Sequence, residues 1–172
     1  MSDVKKRVLP EERLKELGIE LPTIPPVDTD AWNLVLCRQV GNLVWTSGEG
    51  PENYEDGSWI SGRLGEDISI EDAQKAARLC AINLMASLKS HIGDLNRVKQ
   101  IVKLLCLVNS TPDFHDQPKV ANGCSDLLIE VFGESGRHAR SAIGVTSFYA
   151  NIPIEVEMIV ELYDDDEMEA LK

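Results

Sequence analysis

No stretch of the sequence is apolar for long enough to cross a bilayer, a span that takes about 20 residues. None of the four cysteines (Cys37, Cys80, Cys106 and Cys124) stands in a CxxC pair, and His91, His115 and His138 complete no metal-ligand spacing. No bound metal is expected. The thiols are expected to be small buried groups in a reducing compartment. Met1 to Pro10 is charged and has no apolar centre, so no secretory signal is expected and the cytoplasm is the expected location. Basic charge is scarce: 17 Lys and Arg stand against 29 Asp and Glu, a formal net charge of -12. Phosphate binding needs clustered cations, so neither nucleic acid nor an anionic membrane surface is an expected partner. A nucleophile elbow, a phosphate loop and a dinucleotide fingerprint are all missing.

The composition that remains is ordinary. A chain of 172 residues, 43% hydrophobic and 27% charged, suits one globular domain. Residues 1–30 read as an arm. Glu11 to Leu17 follows Pro10 and stops at Gly18, the pattern of a short helix. Pro22, Pro25 and Pro26 then bar both helix and central strand. Residues 31–163 hold the periodic segments, and 164–172 form an acidic tail.

Leu34 to Val40 and Leu43 to Ser47 flank Gly41-Asn42, a hairpin signal. Asp56-Gly57 marks a further turn before short runs at Trp59-Ile60 and Arg63-Leu64. Ser69 can cap a helix over 70–92, with Ala73, Ala77, Cys80, Leu84 and Leu88 on one face and Gly93 as its stop. Val98 to Asn109 reads as a strand: Val98, Val102, Leu104, Cys106 and Val108 share one parity, interrupted by Gln100, and Ile101, Leu105 and Leu107 on the other predict burial on both faces in its second half. A second helix fits Gln117 to Phe132, through Val120, Cys124, Leu127, Leu128 and Val131. Ala139 to Ser147 and Ile154 to Leu162 read as closing strands. The order ββ(β)αβαββ predicts an α+β fold, a mixed sheet with two helices packed on one face. The other face needs a partner, for which a second copy of the chain would serve.

Several residues could carry chemistry. Arg140 lies among Ala139, Ser141 and Ala142. It is either a solvated or salt-bridged strand residue or a planar fork for a carboxylate, with room left by its small neighbours. His138 shares its face. Glu155 and Glu157 share one face of the last strand, as a solvated pair or with one positioning a water. Thr46-Ser47-Gly48 is a strand-to-loop transition that could offer a hydroxyl and backbone groups. Asn122 is a polar contact or a cap.

Three segments, in order and spacing, resemble the RidA/YjgF family of reactive-intermediate deaminases. They are Gly41-Asn42-Leu43-Val44-Trp45-Thr46-Ser47-Gly48, Arg137-His138-Ala139-Arg140-Ser141-Ala142 and Ile154-Glu155-Val156-Glu157-Met158-Ile159. Gly62-Arg63-Leu64-Gly65 and Asn122-Gly123 with Ser125-Asp126-Leu127-Leu128 resemble a longer-chain branch of that family. The resemblance spans about residues 30–163. It implies the chorismate-mutase-like fold and a homotrimer with a cleft at each subunit interface. It also implies hydrolysis of small enamines and imines to 2-keto acids and ammonia, without a cofactor. By position, Arg140 resembles the arginine that holds the substrate carboxylate. Glu155 resembles the glutamate beside the hydrolytic water, Ser47 and Gly48 the cleft-lining strand end, and Asn122 a cleft asparagine. Two positions depart: the family's aromatic residue before the first strand falls near Leu34, and the cysteine two residues past the arginine is Ala142. The alternative expectation is a trimer that binds small carboxylates without turning them over.

Overall fold

The computed structural model describes residues 9–171. The chain opens with α1 (Pro10–Glu16), which has proline at its first turn and two acids, Glu11 and Glu12, against the positive end of its dipole. A single turn, α2 (Thr29–Trp32), follows the proline segment. The hairpin β1 (Cys37–Val40) and β2 (Leu43–Thr46) turns at Gly41, whose φ of +58° suits glycine. A small ribbon, β3 (Glu52–Asn53) with β4 (Ser58–Trp59), precedes α3 (Ile70–Ile92). Then come β5 (Val98–Asn109), α4 (Gln117–Phe132), β6 (Ala139–Val145), β7 (Ile154–Leu162) and α5 (Asp165–Ala170).

The five longer strands form one mixed sheet in the order β1-β2-β7-β5-β6. Only the β5–β6 pair is parallel, because α4 crosses between those strands. Both long helices cover the same face. The Ser69 hydroxyl caps α3 by accepting from the Asp72 amide at 3.1 Å, and Gly93 ends the helix with φ +86°. The predicted stripes of α3 and α4 are all buried and meet Leu104, Cys106, Val156, Met158 and Val160 from the sheet. Small side chains on α3 let α4 lie close. A Cβ at Gly123 would come within 2.9 Å of the Gln74 Cα and nearer still to its carbonyl.

The opposite face carries Trp45, Leu105, Leu107 and Ile159 beside Glu155 and Glu157, all partly or fully exposed. No helix of the described residues is long and apolar enough to cross a membrane.

Three strand readings are corrected. Pairing in the first strand begins at Cys37, not Leu34, and β6 ends at Val145 rather than Ser147. The single parity expected from Val98 to Val108 is broken by irregular register between Val98 and Gln100 and between Ile101 and Lys103. Ile101 is therefore buried and Val102 turns out. Leu105 and Leu107 on the other face are only partly buried. The acidic tail is in part helical. Asp164 makes a capping box with Glu167 at the start of α5, and Lys99 Nζ ties Glu167 back to the sheet at 2.6 Å.

Candidate functional site

Ser47, Gly48 and Glu155 come together at one end of the sheet, in a cavity of about 320 Å³. Glu155 stands on β7 on the face away from the helices, and its carboxyl lies directly over Gly48. A Cβ at that position would stand 2.6 Å from the Glu155 Cδ and closer to one oxygen. Glycine here leaves the room that this position of the Glu155 carboxyl takes up. Burial raises the Glu155 carboxyl above the ordinary range, with repulsion from Glu157 adding to the effect. Ser47 contributes less than expected. Its hydroxyl donates to the Val35 carbonyl at 2.7 Å and its amide to the Leu36 carbonyl at 2.7 Å, so both are committed to the chain before β1.

Glu49 was not anticipated from the sequence. Its backbone exchanges hydrogen bonds with Val156 (3.0 and 3.1 Å), which extends the sheet past β2. Its side chain turns to the helix face and is only 4% exposed. There it accepts from the Ser87 hydroxyl of α3 and from the Tyr54 hydroxyl at 3.3 Å. Burial pushes this carboxyl up. The two hydrogen bonds partly offset that, and Glu52 and Glu155 add to it. One signal was available: a glutamate between two glycines after a strand end. Its burial depends on Ser87, far away in sequence.

Arg140 and Asn122 form a separate constellation. Arg140 Nη1 donates to Asn122 Oδ1 at 3.0 Å and to the buried Ser125 Oγ at 2.8 Å, and Nη2 donates to the Pro118 carbonyl at 3.2 Å. His138 Nδ1 faces the Gly136 carbonyl at 2.6 Å and must donate to it. Its Nε2 can then accept from Ser125 Oγ at 3.0 Å. Burial lowers the His138 pKa. The Gly136 contact opposes the shift and the Arg140 charge assists it, so a neutral ring is favoured. The chain Arg140–Ser125–His138 holds the guanidinium against α4. The Nε hydrogen and the second hydrogen of Nη2 have no partner among the described residues, and a carboxylate takes two such donors side by side.

The two constellations do not meet within one chain. Arg140 pairs with Leu104, which pairs with Met158, so Arg140 projects to the helix side. Glu155 has the opposite parity on β7 and projects to the other side. With β5 between them, they stand about 10 Å apart across the sheet and about 10 Å along it. His138 shares the Arg140 face, as expected. Among the described residues, no group of three or more His, Cys, Asp or Glu could hold a metal ion.

The sequence profile of the YjgF/chorismate-mutase-like family, described as "putative endoribonuclease", matches residues 11–164. Protein TCP17 of Trypanosoma cruzi is 42% identical over 150 residues, covering 87% of this chain and 91% of that protein. The crystal structure of Atu1372 from Agrobacterium tumefaciens, a protein of unknown function, is 39% identical. It superposes with a TM-score of 0.79 over 90% of this chain and 94% of that one. A "putative endoribonuclease" from Shewanella oneidensis is 35% identical, with a TM-score of 0.82 over 90% and 99% of the two chains. Sequence and fold agree: the chain belongs to the YjgF (RidA) family.

Proposed function

We propose that the protein hydrolyses small enamine or imine acids to 2-keto acids and ammonia, at a site completed by a second copy of the chain. The observation that carries this reading is the Glu155 carboxyl, half-buried over Gly48 in a cavity, where burial raises its proton affinity above that of a free carboxylate. Imine carbon is already electrophilic, so holding it beside a water supplies most of the rate. Glu155 takes one proton from that water as its oxygen bonds to the C=N carbon and passes it to the nitrogen, which gives a neutral carbinolamine. Glu155 then takes the carbinolamine hydroxyl proton and delivers it to the departing nitrogen as the C–N bond breaks and C=O forms, so that ammonia leaves and Glu155 is regenerated.

The substrate carboxylate needs a cation, and none of the residues lining the cavity is Lys, Arg or His. Arg140 from a neighbouring copy fills that need. It lies on edge strand β6 with its orientation already fixed and two donors unspent. The partly apolar open face around Trp45, Leu105, Leu107 and Ile159 supports docking of that copy in a homotrimer. TdcF of Escherichia coli, which has the same fold, has been crystallised with bound serine. The net charge of -12 opposes an RNA substrate. A carboxylate binder without turnover is the second reading, favoured by the commitment of the Ser47 hydroxyl to Val35.

The test couples the protein to a dehydratase that releases 2-aminoacrylate and follows pyruvate and ammonia. The reading requires acceleration that Arg140→Ala and Glu155→Gln each remove. Carboxylate binding without acceleration would establish the second reading instead.

A further inference from the structure

The cavity beside Glu155 is far larger than a three-carbon imino acid needs, and its walls are chemically biased. The proline segment of the arm closes one side with Pro25 and Pro26, and α2 brings Trp32 to the mouth. Trp59 and Tyr149 line it from β4 and from the loop before β7. The three rings form a chain of edge-to-face contacts, with Trp32 to Tyr149 at 6.2 Å and Trp59 to Tyr149 at 6.0 Å. Gly50 is what lets this wall stand. A Cβ there would lie 2.8 Å from Trp59 and 2.9 Å from Ile152.

Tyr149 is presented by a strained corner. Ala150 and Asn151 both adopt left-handed backbone, φ +51° and +53°, without being glycine. Asn109 Nδ2 donates to the Asn151 side chain at 3.0 Å, and the Gly62 amide donates to the Asn151 carbonyl at 2.8 Å, pinning the corner. Strain held in this way at the mouth of a cavity is a mark of a site rather than of a connector. Tyr149 is nevertheless 69% exposed and Trp32 59% exposed, so two large rings stand at the entrance instead of in the core.

We infer that this aromatic wall receives the substrate's own side chain and selects 2-imino acids bearing an aryl group, such as those formed when an aromatic amino acid is oxidised at its α-carbon. The inference rests on the deaminase reading. It adds which substrates that site prefers. The wall is apolar and ringed, whereas the Glu155 carboxyl on the other side of the cavity disfavours the substrate carboxylate. The carboxylate is thus directed out toward the partner's arginine, and the aryl group inward. An iminium nitrogen beside Glu155 and the ring faces is favoured by the same arrangement.

The experiment generates imines in situ from phenylalanine, tryptophan, alanine and lysine with amino acid oxidases and compares kcat/KM for keto-acid formation. In parallel, phenylpyruvate and pyruvate are titrated against tryptophan fluorescence. Aryl imines should exceed the alanine-derived imine by roughly tenfold or more, and Tyr149→Ala should lower that ratio roughly tenfold. That tyrosine is exposed enough for the variant to fold, and Trp32→Ala gives an independent check with the same expected direction. Equal rates across the series, a preference for the lysine-derived imine, or a ratio unmoved by both variants would overturn the inference. If no imine is turned over but phenylpyruvate still binds better than pyruvate in a Tyr149-dependent way, the deaminase reading fails and the aryl site stands. If imines are hydrolysed while phenylpyruvate binds no better than pyruvate, the aryl site fails alone.

Discussion

Arg140 and Glu155 are asked to do different things, and their variants should separate accordingly. Under the proposed function Arg140 would offer a charge-assisted pair of hydrogen bonds present in both ground and transition states. Arg140→Ala should raise KM or lower kcat/KM by about ten- to hundredfold, since such bonds contribute about 1.5–3 kcal/mol. Glu155→Gln should instead lower kcat by about 10²–10⁴ with little change in KM. Because burial raises the Glu155 carboxyl, the wild-type rate should climb with pH through the mildly acidic range. The glutamine variant should lose that limb. Glu49 should register in stability. Its carboxyl is also raised, so the native protein holds a proton that the unfolded chain releases. Its contribution is fully present below the ordinary carboxyl range and is lost as pH rises through the raised value. The melting temperature of Glu49→Gln should therefore vary less with pH over that window than that of the wild type. Parallel curves would contradict the assignment.

At the scale of elements, two glycines bear on geometry that can be tested directly. Gly123 lets α4 approach the Gln74 backbone of α3. Backbone cannot yield as a side-chain tip can, so Gly123→Ala should destabilise by about 1–3 kcal/mol through overpacking, read by denaturant titration. Gly48→Ala should cost activity more than stability, because the atom it meets belongs to the Glu155 side chain, which can swing off its position. The long elements were legible in the sequence. Those of α3 and α4 are written in local caps and in stripes every three or four residues, and β7 alternates through Ile154, Val156, Met158, Val160 and Leu162. The β5 register was not, since its irregularities arise from pairing with β7. The cavity was legible only in part. Ser47, Gly48 and Glu155 were singled out as separate segments. The walls escaped notice because Trp32, Trp59 and Tyr149 meet only after the arm, the ribbon and the loop before β7 converge. Leu34, where the family resemblance leads one to expect a ring, lines the same cavity as Trp32, Trp59 and Tyr149.

For the whole molecule, the decisive feature is that one sheet separates the carboxylate fork from the carboxyl that would serve the water. Arg140 faces the helices and Glu155 faces away, so under the proposed function a single chain would hold two half-sites. A closed ring of copies would let each Arg140 serve the next copy's Glu155. The most direct test mixes two impaired variants, Arg140→Ala and Glu155→Gln, after dissociation and reassembly, and measures imine hydrolysis at substrate concentrations well below KM, where both variants are slow. An intersubunit site predicts that activity returns to about a quarter of the wild-type value, since each site then draws its two halves independently from the mixed pool. A mixture as inactive as either parent, from subunits shown to have exchanged, would contradict the account.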